Sequence, residues 1–531
     1  MPLTTLIAAL SDPRCYPHSP KRVTVIQTHI SVVFIADDLV YKVKKPVDFG
    51  FLDFTTLQKR KYYCEEELRL NGRLCREIYL GVVPITDDGG RIAVGGTGAV
   101  AEYAVVMKRL PAERMMDLLL REGKVAREDI TRVAQILVPF YRSAQTGERV
   151  ERYGTIAVVG LNCDENFNQT KRYVSKTISP EFFETIKGYT ERVFKEEAGL
   201  FEERIGGGFI REGHGDLHSR NICITEKEVY IYDCIEFNER FRMGDVAQDV
   251  AFLSMDLDYF RYPGLSRFFI DQYAHLAGDG RISELIGFYA CYHAFTRGKV
   301  LSFELGEEEI DSREKETAAR RATSYFHLAH HYAVRETAPF LVITFGLAGT
   351  GKSRIADLLA REIDAEVIRS DEVRKELAGI GPLEHRYGRF GVGIYSIDIT
   401  KKTYGALFDR AREALGANRS VILDACFLKR EERKKAREVA ERTGARFLIV
   451  AVTCPDDVVK KRIAKRAKEK AASDATFEVY LKQKLLCERL NGKEEQNAVG
   501  VDTTQPENDS VRSIVGRLLL GQRDVTQCTE V

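Results

Sequence analysis

Residues 214–233 read HGDLHSRNICITEKEVYIYD. The first eight have the composition of a loop, and Asp216 and Asn221 stand five apart in it. A polar turn, TEKE, leads into a β-rich run, VYIY, that ends on Asp233. Phosphoryl transfer from ATP calls for such a set. One carboxylate orients the acceptor hydroxyl, while an amide and a second carboxylate hold Mg²⁺ on the phosphates.

Upstream, residues 22–45 (RVTVIQTHISVVFIADDLVYKVKK) hold three short β-type runs with turns at 28–31 and 37–38. The third run carries Lys42, and Lys44 shares its face two residues on, so either can be the inward cation. Residues 60–76 read as a helix on which Glu67, Leu70, Asn71 and Leu74 fall at i, i+3, i+4 and i+7. That face points Glu67 toward the strand lysine, with Glu66 as the alternative. EYAVVMKRLP (102–111) reads as a strand running into a linker, and residues 112–198 are helical by pattern. ERIGGGFIREG (203–213) ends the helices just before the loop. Beyond Asp233, Asp245 and Asp249 are spaced to cap the start of a helix. Residues 282–334 are helical again. His214 and His218 are expected to pack and hydrogen-bond within the loop, and His327, His330 and His331 to lie on a helix surface.

The motif HGDLHSRN…YD, followed by GDVAQDVAF, resembles the aminoglycoside phosphotransferase-like kinases, relatives of protein kinases that phosphorylate small molecules. The resemblance spans roughly residues 20–330 and is tightest at 214–249. It implies a two-lobed α+β kinase-like domain, with Asp216 as catalytic base and Asn221 and Asp233 as Mg²⁺ ligands. It also implies Lys42 with Glu67 as the pair that orients the ATP phosphates, and Met107 to Arg109 as the hinge that meets the adenine. The turn THIS (28–31) lacks glycine and departs from a G-x-G-x-x-G phosphate loop.

A second centre follows RETAP (335–339). An apolar run, FLVITF, leads into Gly346-Leu-Ala-Gly349-Thr350-Gly351-Lys352-Ser353 and then an amphipathic helix. This is G-x-x-x-x-G-K-S in strand–loop–helix context. Its glycines let backbone N–H groups wrap phosphates at a helix N-terminus. Lys352 is expected to reach the β/γ-phosphates and Ser353 to bind Mg²⁺. EVIRSDEVRKEL sets Asp371 and Arg374 just after a short strand, 366–369, and SVILDACFL carries Asp424 at a Walker-B-type position. FLIVAVTC (447–454) is another buried strand, and VVKKRIAKRAKEK sets Arg462 and Arg466 four apart on one helix face. Alternating strands and helices imply a parallel sheet with its site at the carboxyl ends of the strands.

GLAGTGKS, SDEVR, LDACFL and the KRIAKR helix resemble the P-loop kinases of the polynucleotide kinase and zeta-toxin type, over roughly 340–490. The resemblance implies Asp371 as the base for the acceptor hydroxyl and Arg374 as an acceptor-side contact. It puts Asp424 at the metal or the acceptor, and Arg462 with Arg466 in a lid over the phosphates.

At 531 residues the chain is too long for one core. It is 44% hydrophobic and 30% charged, with a net charge of +1, so no global field draws nucleic acid or membrane. No apolar run approaches the roughly 20 residues of a transmembrane helix. Its start, MPLTTLIAALSD, lacks the features of a signal peptide. Eleven singly scattered cysteines suit reduced thiols in a cytoplasm. The expected architecture is an α+β two-lobed kinase-like domain, N-lobe 1–110 and C-lobe 111–335, followed by an α/β P-loop domain at 338–521. The expected function is bifunctional ATP- and Mg²⁺-dependent transfer of phosphate to small-molecule hydroxyls. In one alternative, one half is a regulatory module or ATPase switch. In another, the P-loop half is a 5′-hydroxyl polynucleotide kinase, the one place where nucleic acid enters.

Overall fold

A computed structural model describes residues 1–307, 310–334, 338–380, 396–468 and 476–521, with the side chains of 466–468 outside that description. The chain divides into two compact units: Met1–Lys171, Lys187–Phe260 and Leu265–His293 form the first, and Arg172–Ile186, Arg261–Gly264 and Ala294–Val531 the second.

The first unit contains strands β1 (Val23–Gln27), β2 (Ser31–Ala36), β3 (Leu39–Lys44), β4 (Tyr79–Asp88), β5 (Arg91–Val94) and β6 (Ala99–Lys108). They form one sheet in the order β1-β2-β3-β6-β4-β5, with every pair antiparallel. Strand alternation sorts the two faces. Phe34, Tyr41, Val43, Ala104 and Val106 join Leu6 and Leu10 of the helix Leu3–Leu10 in one core. Val105 and Met107 face the other way, onto Cys64 and Cys75 of the helix Leu57–Cys75. Lys42 lies opposite Val105 in register and therefore faces that helix.

The helix Leu57–Cys75 starts three residues before the expected Arg60, because the Thr56 hydroxyl caps the Lys59 N–H. Its buried stripe is Arg60, Cys64, Glu67, Leu70, Asn71 and Cys75. Three of these six are polar, so the face that meets the sheet carries hydrogen-bonding groups inward, and each needs a partner.

Strand β7 (Ile210–Glu212), the hairpin β8 (Ile222–Ile224) with β9 (Val229–Ile231), and β10 (Met243–Asp245) frame the 214–221 loop. The helix Val246–Tyr259 follows, and 13 of its residues are buried. Asp245 caps it as expected, accepting from the Ala247 N–H at 2.8 Å.

In the second unit β11 (Phe340–Phe345), β12 (Glu366–Arg369), β13 (Val421–Asp424), β14 (Arg446–Thr453) and β15 (Ala498–Asp502) build a wholly parallel sheet. Its order is β12-β13-β11-β14-β15, so the P-loop leaves the central strand. Leu341, Ile343, Leu407, Val421, Leu423 and Phe427 are among its core residues. The helix Ser312–Val334 belongs to this unit by its contacts.

The three histidines on that helix depart from the expected surface position. His330 stacks on Phe182 with centroids 3.9 Å apart, His327 meets the same ring edge-on, and His331 is buried. Burial pushes both His327 and His330 down to about 4. Arg446, whose guanidinium lies over the Phe340 ring and 3.0 Å from His331 Nδ1, adds to that shift. Among the described residues ten cysteines are free, and no helix is long and apolar enough to cross a membrane.

Candidate functional site

The loop 214–221 is fixed from beneath before any ligand is considered. The Asp249 carboxylate accepts the N–H of His214 at 2.7 Å and of Gly215 at 2.8 Å, and the Tyr141 hydroxyl at 2.8 Å. Asp249 therefore anchors the loop backbone and does not cap its own helix, because the loop amides lie within reach of its carboxylate. Asp256 accepts the Ser219 N–H at 2.8 Å. The Asp216 N–H donates to His214 Nδ1 at 3.2 Å, so the His214 proton sits on Nε2, which donates to the Tyr232 carbonyl at 2.9 Å. Burial lowers the His214 pKa and favours this neutral form.

Asn221 and Asp216 come together. The Asn221 amide nitrogen donates to the Asp216 carbonyl at 2.9 Å and to its carboxylate at 3.2 Å. His218 Nε2 is 3.3 Å from the same carboxylate. The segment carrying Asp233 is knitted to this loop, since the Tyr232 N–H donates to the Asn221 carbonyl at 3.0 Å and the Ile235 N–H to the His214 carbonyl at 3.0 Å. Asp233 sits in the left-handed region at φ 66°, an uncommon conformation for a non-glycine residue, and its N–H donates to the Tyr79 hydroxyl.

Both strand lysines meet Glu67. Lys42 Nζ lies 2.7 Å from Asp233 Oδ1 and 2.9 Å from Glu67 Oε1, the latter outside hydrogen-bonding geometry. Lys44 Nζ donates to Glu67 Oε2 at 2.7 Å and to Glu236. Glu66 turns instead to Arg69 at 2.8 Å. Burial alone would lower the Lys42 pKa, but Asp233, Glu67 and Glu236 hold it well above the ordinary value. Burial likewise works against ionised Glu67, and the two ammonium groups overcome it to hold the acid at about 2. For Glu236 burial prevails and its pKa is raised. Glu236 escaped sequence reasoning; the available signal was a second inward lysine with no second carboxylate. Met107 is half-buried in β6, and the Arg109 N–H donates to the Asp38 carbonyl at 2.8 Å just past the strand end.

In the second unit the P-loop geometry follows from its glycines. Gly346 has φ 150°, and a Cβ there would lie 2.4 Å from the Val452 carbonyl oxygen, so only glycine lets the loop pass this close. Gly349 and Gly351 also have positive φ, and Gly351 precedes the helix Lys352–Ile363 as its N-cap. Lys352 Nζ donates to the Leu347 carbonyl at 2.8 Å, as does the Thr350 hydroxyl at 2.9 Å. Ser353 is exposed on the first turn. Gln483, which no sequence signal marked, accepts the Ala348 N–H at 2.7 Å.

Asp424 ends β13, buried, 3.4 Å from the Thr344 hydroxyl and 3.9 Å from Arg369 Nε. Asp371 lies in the first turn of the helix Ser370–Leu377, and Arg374, buried one turn on, donates to the Thr400 hydroxyl at 3.1 Å. Arg462 braces the loop: its guanidinium donates to the Thr350 carbonyl at 3.3 Å and to the Thr503 hydroxyl and carbonyl at 2.7 and 2.8 Å. The Arg466 side chain lies outside the described residues. Among the described residues no three His, Cys, Asp or Glu side chains gather for a metal. Mg²⁺ requires no such cluster, since it uses one or two carboxylates with phosphate oxygens and water. Asp233 with the Asn221 amide oxygen, and Asp424 with the Ser353 hydroxyl, are hard oxygen donors of that kind.

Over 459 residues the chain is 31% identical to the "Uncharacterized protein Rv2004c" of Mycobacterium tuberculosis (strain H37Rv), covering 86% of this chain and 88% of that protein. The chain belongs to this protein family. A span of that length takes in both the 214–233 loop and the P-loop of this chain. The Mycobacterium bovis relative, "Uncharacterized protein Mb2027c", matches to the same extent. Residues 341–490 match the AAA domain family. Solved structures with some likeness include a sugar kinase from Janibacter sp. HTCC2649, 20% identical over 34% of this chain and 95% of that one, with a TM-score of 0.28. A choline kinase from Cryptosporidium parvum Iowa II is 11% identical over 62% and 94%, with a TM-score of 0.37.

Proposed function

We propose that the chain is a bifunctional phosphotransferase in which each unit passes the ATP γ-phosphate to a hydroxyl. The observation that carries this is Lys42, bound at once to Glu67 and Asp233 across 191 residues of chain, beside the Asp216–Asn221 pair. In the first unit Asp216 takes the acceptor hydroxyl's proton, and Lys42, oriented by Glu67, holds the nucleotide phosphates. In the second, the loop amides and Lys352 hold the phosphates, Asp371 is the base and Arg374 steadies the acceptor. Mg²⁺, held by Asn221 and Asp233 in one site and by Ser353 and Asp424 in the other, would neutralise charge on the phosphates. The compartment that suits free thiols and ATP is the cytoplasm.

A second reading makes the P-loop half a nucleotide switch. It is favoured by the internal satisfaction of the cradle, where Gln483 takes the Ala348 N–H and Lys352 the Leu347 carbonyl. One experiment separates the two. With labelled ATP and a panel of metabolites, aminoglycosides and 5′-hydroxyl oligonucleotides, Asp216→Asn should abolish one transfer and spare the other, and Lys352→Ala should do the reverse. If either substitution silences both in a folded protein, the sites are coupled and independence is wrong.

For the second acceptor, residues 429–470 hold fifteen Lys and Arg against seven Asp and Glu. Part of that surplus is structural. Arg433 is buried against Glu494 at 2.8 Å, Arg446 is half-buried near His331, and Arg462 is held by the Thr350 and Thr503 carbonyls. A small or short anionic or nucleoside-like acceptor fits this better than a polynucleotide. Its KM should rise only shallowly with salt, whereas a polynucleotide's would rise steeply as phosphate contacts release counterions. Steeply salt-dependent phosphorylation of a 5′-hydroxyl oligonucleotide would reverse the preference.

A further inference from the structure

Four phenylalanines gather beside the first site, and the phosphate-handling groups have no need of them. Phe49 and Phe51 lie on the loop between β3 and the helix Leu57–Cys75, and Phe237 and Phe241 lie just past Asp233. The Phe51 centroid is 6.0 Å from Phe49, 6.0 Å from Phe237 and 6.2 Å from Phe241, ordinary separations for aromatic pairs. The Asn238 amide donates to the Phe51 carbonyl at 3.0 Å and ties the two segments together. Yet Phe49 remains 48% exposed and Phe51 42%. Apolar rings left together in water mark a binding surface more often than a packing accident.

The cluster's neighbours say what it serves. Gly215, next to Asp216, has φ 83°, and a Cβ there would lie 2.8 Å from the Phe241 carbonyl oxygen. The Phe241 backbone is thus packed against the loop that carries Asp216. At its other end, Phe237 directly follows Glu236, whose carboxylate meets Lys44. Three charged side chains on the same segments are held in ion pairs: Arg240 with Glu165 at 2.6 Å, Glu239 with Arg149, and Asp53 with Lys59.

We propose that these four rings are the acceptor subsite of the first site, and that it takes an uncharged alcohol with an apolar ring face, such as a monosaccharide or an aromatic alcohol. This rests on the reading of Asp216 as base. Ring faces reward contact with another ring or with the C–H face of a sugar, and these ion pairs withhold three of the nearby charges from a charged acceptor. The acceptor O–H bond breaks as its oxygen bonds to the γ-phosphorus; the proton passes to Asp216 and ADP departs.

The test measures labelled-phosphate transfer by the full chain, taking the Asp216→Asn variant as the blank. Acceptors are neutral monosaccharides and benzyl-type alcohols, then choline and aminoglycosides, then sugar phosphates. Transfer should favour the neutral ring alcohols. Phe51→Ala and Phe49→Ala should each raise the acceptor KM about tenfold while the ATP KM and melting temperature stay put, and Phe51→Tyr should restore it. Unchanged acceptor KM in both alanine variants, or a preference for charged acceptors, overturns the subsite and leaves the transferase reading standing. If no acceptor of any charge takes Asp216-dependent phosphate, the transferase reading fails and the subsite with it.

Discussion

Replacing Asp233 by alanine should lower phosphate transfer at the first site by about a thousandfold or more, because the carboxylate is assigned both to Mg²⁺ and to Lys42. The apo protein should melt only a few degrees below the wild type, since alanine at this left-handed position costs about 1 kcal/mol. The Asp233 side chain is 40% exposed, and Lys42 keeps Glu67 2.9 Å away when Asp233 is gone, so no buried charge is orphaned. Steady-state transfer and a thermal melt of the same preparation check this. A large fall in melting temperature with only a modest loss of rate would mean that Asp233 holds its loop and does no more.

The contrast between what could be read and what could not is physical. FLVITF coincides with β11, Phe340–Phe345, because an apolar run bounded by a glycine loop has few other ways to fold. Glu67 was legible from helical spacing, and the strand lysines from their period of two. Lys44's second partner, Glu236, is 192 residues away, and no local pattern encodes such a pairing. Asp249 shows the converse. Its spacing from Asp245 suggested a second cap, while its carboxylate reaches across to the amides of the 214–221 loop. The run 429–470 is strongly basic in sequence, yet Arg433 is buried against Glu494 and carries structure. Charge along a sequence does not reveal which cations are already paired within the fold.

Glu67→Ala should lower both stability and activity in the first unit. Glu67 is fully buried and stands between two ammonium groups, 2.9 Å from the part-buried Lys42 and 2.7 Å from the buried Lys44. Removing one partner of a buried ion pair costs about 3–5 kcal/mol, because the remaining charge is left in a poorly solvating interior. Here the four-membered set of Lys42, Lys44, Glu67 and Glu236 becomes two cations against one buried acid, with Asp233 at its exposed edge. Glu67→Gln keeps the shape and one hydrogen-bond acceptor, so it should lose less stability while still lowering transfer. The pH dependence fixes the sign. Lys42 and Lys44 hold Glu67 at about 2, below the ordinary glutamate value of 4.5, so its contribution is fully present above that ordinary value and fades as pH falls toward 2. The stability gap between wild type and Glu67→Ala should therefore be constant at neutral pH and narrow in acid. Chemical denaturation of both proteins across that range measures it. A gap that widens in acid, or an alanine variant as stable as wild type at neutral pH, would show that the two lysines do not depend on Glu67.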